Sequence, residues 1–454
     1  MNALIALDRA VAQAGPRAAP TQKRPRQAAP PVTRAPGGTS SLPYFAYRTA
    51  VNAARYISGL RPFQQDDFGK GPNTPSRAHL AAVNGLIAGS LARQGSEERQ
   101  LAVRARDLTT ADDAGRAALL KLKELGETRA RDTEQLWEFY LNLFGQRNGP
   151  FASWLGALDR IALDCYQAVY LGLGKARSIP SPAPFAYMEA GFGPATFRRG
   201  VKLGKIGQLA NPFPLVKVPY LRLLNPWSLG AVPHEVSHNL QNDLGLWNVI
   251  PGRIAAAFRR RNLPSANAAV WERWHKETYA DLSGLLLIGP AYVGALMDVV
   301  GRSRESTAAW NDEAVHPTPI IRVPLNARLL ERIGFHEDAA AYRRAWDALY
   351  PASAWARVPG WVRARLPEQI DAVLDAICFA PCVEYGGRAL IDVIRFEPKH
   401  AELVREAADR LQTGTDTGVL PERFLIAAAR QALSRAKTPP QVIARNFYEA
   451  LGRC

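Results

Sequence analysis

Apolar residues recur at helical spacing over most of this chain. The clearest example lies within residues 133–144, where five apolar side chains fall on one face of a helix: Leu136, Phe139, Tyr140, Leu143 and Phe144. Such a stripe is typical of an amphipathic helix that packs against a core rather than of a cofactor pocket. Residues 81–175 and the region after residue 322 show the same pattern. We therefore predict an α+β fold that is mainly α.

Two segments interrupt the helical pattern. Residues 178–199 contain several prolines and glycines, which predicts a long loop of the kind that often binds ligands. Residues 215–220 alternate between apolar and polar positions and predict a short strand. We place this strand at the edge of a small sheet, where it could pair with an extended peptide, because Pro219 is tolerated at an edge.

Composition divides the chain into four regions. Residues 1–43 are rich in Pro, Ala and Arg and lack apolar periodicity, which predicts a disordered basic tail. The tail could be an address, an export signal or an electrostatic tether, or a linker with no role of its own. Residues 44–190 and 331–454 are predicted to be helical regions. They flank a predicted zincin-like metal-binding core at residues 191–330.

The chain carries a formal net charge of +16. Such a surplus favours acidic partners, and the basic tail is a candidate to bind an anionic one. The simpler alternative is that the charge comes from arginines on a solvated surface and that no acidic partner is involved. Nucleic acid is an unlikely partner, because no basic cluster is interleaved with aromatic residues.

Compartment is indicated by what the sequence lacks. Four cysteines in a chain of 454 residues do not form a disulfide framework, so a reducing compartment is expected. The first residues do not have the pattern of a secretory signal. The longest uncharged apolar run, residues 282–297, contains Gly289 and Pro290 and predicts a buried helix rather than a transmembrane segment. We expect a cytoplasmic protein by default, with non-classical export or delivery as the alternative.

The candidate chemistry centres on the pentapeptide His234-Glu235-Val236-Ser237-His238. Residues four apart on a helix share a face, so His234 and His238 can converge on one zinc ion. Glu235 is offset from both and can reach a water molecule as general base. Pro233 directly before the motif predicts that the helix begins near Val232 or is kinked there.

A zinc site of this kind needs a third protein ligand and leaves a fourth position to water. The best candidates are Glu277 and Asp281, again four residues apart; one would bind zinc and the other would orient a histidine ligand. His275 and Glu272 are rivals, and a surface helix is the plain alternative. Tyr279 and Tyr292 could supply a phenol to an oxyanion, although tyrosines near metal helices are commonly just packed.

The motif His234-Glu235-x-x-His238, followed by Glu277-x-x-Ala280-Asp281, resembles the gluzincin metallopeptidases. This resemblance implies that Glu277 is the third ligand and that Asp281 orients a histidine ligand. The stretch from His316-Pro317 to Arg322 is similar to a segment of the membrane-integral CAAX-prenyl and heat-shock endopeptidases. It implies that His316 and Arg322 line the catalytic cleft. We expect that one of them, His316 or Arg322, stabilises the oxyanion. Unlike that family, this chain has a shorter spacing between its motifs and no flanking membrane spans.

These features predict a zinc-dependent metallohydrolase with one zinc ion per chain and a peptide or protein substrate. Glu235 would be the general base. The alternative from another class is a non-catalytic zinc-binding module, or a delivered effector that acts through its basic surface. An open coordination position on the metal favours the enzyme, and four protein ligands favour the module.

Overall fold

A computed structural model describes residues 41–108, 110–174, 178–191 and 193–453. The tail predicted at residues 1–43 lies outside the described residues up to position 40. The described chain is mainly helical with a small sheet, which confirms the predicted class. The longer helices are α1 (Leu42–Gly59), α2 (Arg77–Arg106), α3 (Asp113–Gly145), α4 (Ala152–Gly172), α5 (Ala231–Asp243), α6 (Ile250–Arg260), α7 (Ser265–Ile288), α8 (Ala291–Val300), α9 (Pro319–Arg332), α10 (His336–Leu349), α11 (Leu366–Leu374), α12 (Pro398–Thr413), α13 (Phe424–Ser434) and α14 (Pro440–Arg453).

The amphipathic stripe predicted from the sequence lies on α3. Its residues Leu136, Tyr140, Leu143 and Phe144 are buried, whereas Phe139 is only partly buried. The stripe packs into a cluster of aromatic side chains that joins α2 and α3 to the sheet. It is therefore part of a core, as its pattern predicts.

The main sheet has three strands in the order β1 (Phe185–Met188), β5 (Leu215–Val218), β2 (Ala195–Phe197). β5 pairs in parallel with β1 and antiparallel with β2. A separate hairpin joins β3 (Lys202–Leu203) to β4 (Leu209–Ala210). The prediction that residues 215–220 form an edge strand is therefore wrong, because β5 is the central strand. The segment predicted as one loop, residues 178–199, contains β1 and β2.

The outer edge of β1 is closed by side chains. The amide of Gln146 bonds both the N–H and the C=O of Met188, at 2.7 and 2.8 Å. Asp159 accepts from the N–H of Ala186 at 2.6 Å, and Arg147 donates to the C=O of that residue at 2.6 Å. With these groups satisfied, β1 has no free backbone groups there to offer another strand.

β2 forms the other edge and lies against α5. The side-chain amide of Asn239 donates to Oγ1 of Thr196 at 2.7 Å, and Thr196 donates in turn to the C=O of Leu215 at 2.9 Å. These two bonds fix β2 to both α5 and β5. The edge strand beside the helix that carries the candidate motif is thus β2.

The segment before β1 is held by Arg199, whose guanidinium donates to four backbone carbonyls. The acceptors are Pro180, Ser181, Pro182 and Pro212. An arginine can satisfy several carbonyls at once because its donors are arranged in a rigid fork. Arg199 therefore ties residues 180–182 to the turn that leads into β5.

A continuous hydrophobic cluster contains side chains from residue 155 to residue 451. It includes α4, α5, α7 and the C-terminal helices, on both sides of the boundary predicted at residue 330. In the described part of the chain, no helix is both long enough and apolar enough to cross a membrane. α7 ends at Ile288 because Gly289 takes φ +70°, and a Cβ there would lie 2.3 Å from the ring of Phe396.

The ion pair beside β1, between buried Arg147 and partly exposed Asp159, yields a stability prediction. The side chain of Arg147 is fully buried and pairs with Asp159 at 2.9 Å. Arg147→Met leaves Asp159 without its cation, so we expect the free energy of unfolding to fall by about 3 kcal/mol. Lys123→Met removes a partly exposed helical pair with Glu127 and should cost no more than about 1 kcal/mol. Urea unfolding measures both; equal losses would contradict the structural role of Arg147.

Candidate metal centre

Helix α5 carries the pentapeptide in its middle. It begins at Ala231, so Pro233 occupies the third helical position, where its missing N–H breaks no helical hydrogen bond. The helix ends at Asp243; the N–H of Gly245, at φ +73°, then bonds the C=O of Asn242 at 3.0 Å. Of the two predicted alternatives, a start near Val232 or a kink, the structure shows the start.

The two faces of α5 have different partners. Val232, Val236 and Leu240 are fully buried and recur every four residues, so they anchor one face of the helix in the core. The rings of His234 and His238 lie together on another face, with centroids 4.8 Å apart and planes nearly perpendicular. The apolar face thereby fixes the direction in which both imidazoles point.

Glu277 of α7 lies opposite these two rings. Its Oε2 is 3.3 Å from Nε2 of His234, and its Oε1 is 3.4 Å from Nε2 of His238. One ligand atom from each of these three residues lies within 4.8 Å of the other two, and together they could hold a metal ion. Among the described residues, the third member of this group is Glu277. The rival candidates Asp281, His275 and Glu272 do not belong to it.

The second nitrogen of His234 is already occupied. Its Nδ1 lies 3.0 Å from Oδ1 of Asp281 and 3.1 Å from the hydroxyl of Tyr292. A carboxylate can only accept, so Nδ1 carries the hydrogen and Nε2 is the atom that faces His238 and Glu277. This arrangement presents the nitrogen that a metal would need.

Asp281 is fully buried and accepts from three different helices. Besides His234 of α5, its partners are the Tyr292 hydroxyl of α8, at 2.7 Å, and the guanidinium of Arg322 of α9. Nε of Arg322 donates at 2.7 Å and Nη2 at 2.6 Å, as a bidentate pair. Although burial raises it, these contacts hold the pKa of Asp281 well below its usual range.

The electrostatics differ between the two histidines. Burial lowers the pKa of His234, but hydrogen bonds to Asp281 and Glu277 outweigh burial and raise it to about 10. Burial and the neighbouring charge of His234 lower the pKa of His238 to about 3. A proton on His234 is therefore favoured by the two carboxylates that face its ring nitrogens, those of Asp281 and Glu277. A metal cation would compete with that proton.

Glu235 is buried beside the group but does not belong to it. Among the described residues its carboxylate has no hydrogen-bonding or ionic partner within the usual distances. Burial raises its pKa to about 7. A carboxylate with this pKa and no fixed partner can accept a proton near neutral pH.

The other predicted site residues lie on either side of the group. Nε2 of His316 lies 3.2 Å from Oε1 of Glu277, and its side chain is 61% exposed, so it stands at the mouth of the site. Arg322 is buried and directs two of its nitrogens to Asp281. Tyr292 bonds His234 and Asp281, whereas Tyr279 bonds Tyr385.

No protein-family model matches the chain, and no curated protein or solved structure is detectably similar to it. The site consists of two imidazole nitrogens and a carboxylate that converge, a second carboxylate, Asp281, that contacts one imidazole from behind, and Glu235, which has no partner among the described residues.

The contact between Gly284 and Tyr292 tests whether the network behind His234 supports metal binding. A Cβ at Gly284 would lie 2.5 Å from Cε2 of Tyr292, whereas a Cβ at Gly252 would meet nothing within 4 Å. Gly284→Ala must therefore displace the Tyr292 ring and its two hydrogen bonds. We expect zinc affinity to fall about 10- to 100-fold, as is typical when the partners of metal ligands are lost.

The measurement is a competition titration of zinc against a chelator, with thermal unfolding followed by circular dichroism on the same samples. Gly252→Ala, also in a helix, is the matched control and should keep the wild-type affinity. Equal zinc affinities in the two variants would contradict the supporting role of Tyr292.

Proposed function

We propose that the protein is a zinc-dependent metallohydrolase of zincin type, and that it is a peptidase similar to the gluzincins. The observation that carries this proposal is the convergence of His234, His238 and Glu277 with Glu235 left unpaired beside them. A structural site has no use for an additional buried carboxylate with a raised pKa.

The donor set fits zinc. Two neutral imidazoles and one carboxylate are the ligands of many catalytic zinc sites, and three protein ligands leave one coordination position open. Asp281 accepts from Nδ1 of His234 at 3.0 Å, which is the usual way a zinc-binding histidine is oriented. When bound, zinc would lower the pKa of water towards neutrality and polarise the scissile carbonyl group.

The chain's own residues supply the proton transfers. Glu235 would accept a proton as the water oxygen attacks the carbonyl carbon of a peptide bond. It would then pass that proton to the leaving nitrogen as the C–N bond breaks. His316, at the mouth of the site, would donate a hydrogen bond to the carbonyl oxygen as negative charge develops on it. Arg322 would keep Asp281 ionised and so act through His234.

β2 offers a place for an extended substrate. β1 is closed by Gln146, Arg147 and Asp159, whereas β2 lies beside α5 through the bond from Asn239 to Thr196. A peptide that adds to the outer edge of β2 would run alongside the helix that carries His234 and His238. The substrate-binding strand is thus proposed to be β2 rather than β5.

One observation favours the second candidate function, a non-catalytic zinc module. Nε2 of His316 is 3.2 Å from Glu277, close enough for this imidazole to become a fourth ligand. Four protein ligands would close the site and exclude water. The exposure of His316 and the unpaired state of Glu235 weigh against this alternative. A delivered effector remains a hypothesis that rests on the tail.

Glu235→Gln distinguishes an enzyme from a zinc module. The amide keeps the size of the side chain but cannot accept the proton, so we expect zinc content and fold to persist while turnover falls about 10²- to 10⁴-fold. Wild type and variant are compared on a proteome-derived peptide library by mass spectrometry, with zinc measured on the same samples.

Glu134→Gln is the matched control, because Glu134 is exposed on α3. It should cleave as the wild type does. A zinc-loaded wild type that cleaves no peptide faster than Glu235→Gln does would contradict the enzymatic proposal and favour the module.

A further inference from the structure

Trp247, in the turn after α5, contacts two cations. The guanidinium carbon of Arg198 lies 3.4 Å from the centre of its ring, and Nζ of Lys276 lies 3.7 Å from it. Arg198 directly follows β2, and Lys276 directly precedes Glu277 in α7. Residues that are far apart in the sequence thus place two positive charges against the same indole ring, one of them next to Glu277 in the sequence. We call them the cation pair.

The cation pair has no counter-ion in the described part of the chain. Neither Arg198 nor Lys276 has a carboxylate oxygen within 4.0 Å there, and Nη1 of Arg198 donates only to the amide oxygen of Asn242, at 3.1 Å. Nearby cations differ in this respect. Lys205 and Lys217 both pair with Glu189.

Holding two like charges together in a partly buried place costs free energy. Burial lowers the pKa of Arg198. Burial, and then the charge of Arg198, lower the pKa of Lys276, while Glu277 acts in the opposite direction. The carboxylate of Glu277 is already directed at His234, His238 and His316. An anion at the cation pair would relieve the repulsion, whereas the described residues provide the indole face of Trp247 and the amide oxygen of Asn242 but no carboxylate within 4.0 Å.

The cation pair lies at one end of the proposed substrate strand. β2 follows α5 towards its C-terminal end: Thr196 bonds Asn239, one residue after His238, and Arg198 bonds Asn242, one helical turn after His238. A peptide that pairs with the outer edge of β2 and reaches the metal centre therefore passes the cation pair within a few residues of the scissile bond.

We propose that Arg198 and Lys276 form a subsite for a carboxylate of the substrate, with Trp247 as its apolar wall. The guanidinium can bind a carboxylate through two parallel hydrogen bonds, and the ammonium adds a point charge. The carboxylate could belong to an aspartate or glutamate side chain or to the C-terminus of a peptide. This inference rests on the proposed function and narrows the substrate to peptides that carry a negative charge near the scissile bond.

The test measures binding separately from cleavage. Full-length, zinc-loaded Glu235→Gln protein is titrated by fluorescence anisotropy with fluorescein-labelled octapeptide pools. One pool has glutamate fixed at each position in turn, and its partner has glutamine there; both are made with free and with amidated C-termini. We expect one or a few positions at which glutamate, or the free C-terminus, tightens binding about tenfold or more.

Variants then assign the preference to the cation pair. The double variant Arg198→Ala/Lys276→Ala should abolish it, and Arg198→Lys/Lys276→Arg, which keeps both charges, should retain most of it. Lys202→Ala/Lys437→Ala removes the same charge from exposed positions and should leave the preference unchanged. Thermal unfolding by circular dichroism shows that each variant is folded.

The outcomes separate the two carboxylate sources and the two proposals. If amidation abolishes the preference for negative charge, the subsite binds the C-terminal carboxylate. If the preference survives amidation, the subsite binds a side-chain carboxylate. Binding without any preference for negative charge, a preference that survives Arg198→Ala/Lys276→Ala, or no peptide binding at all would overturn the subsite. Cleavage by wild type that depends on Glu235 would in each of these cases leave the proposed peptidase function standing.

Discussion

The architecture around the candidate metal centre depends on the burial of one carboxylate, that of Asp281. An ionised side chain with no exposure to solvent is stable only when hydrogen bonds and opposite charges surround it. Here the compensating groups come from three helices, through His234 of α5, Tyr292 of α8 and Arg322 of α9. Asp281 itself belongs to α7, so its hydrogen bonds connect four helices: α5, α7, α8 and α9. It also orients the His234 ring, with Nδ1 towards Asp281 and Nε2 towards Glu277.

The residues of the site differ in how firmly the packing holds their side chains. The groups behind His234 are buried and hydrogen-bonded to one another. Of the groups that would touch substrate, Glu235 is buried without a partner among the described residues, and His316 is exposed. A supported set of ligands beside free catalytic groups is the arrangement that preorganised active sites require. β2 and the cation pair extend this arrangement along α5, since Thr196 and Arg198 both bond to the helix beyond His238. The proposed cleft would therefore hold the metal beside His234 and His238, and would present the positive charges of the cation pair near the C-terminal end of α5.

Local sequence patterns predicted most of the helices and the three residues that could hold a metal ion, His234, His238 and Glu277. They did not predict the contacts between distant segments. The helical period alone brings His234 and His238 together, and Gly245 ends α5 as its backbone conformation requires. The position of β5 could not be predicted in this way, because four alternating residues carry no information about their neighbours on either side. The sequence offered Tyr292 only as a phenol for an oxyanion, whereas the structure places its hydroxyl between His234 and Asp281. These contacts and the cation pair depend on packing between segments that are far apart in the sequence, and no spacing rule connects such segments.

The most direct test of the account is zinc K-edge X-ray absorption spectroscopy on the full-length protein loaded with one equivalent of zinc. We expect a shell of two imidazole nitrogens at about 2.0–2.1 Å and oxygens at about 2.0–2.2 Å from Glu277 and water. The imidazole count should stay at two in His316→Ala and fall in His238→Ala. A third imidazole that disappears in His316→Ala would show a site closed by four protein ligands. Failure to retain zinc at all would contradict the metal centre itself.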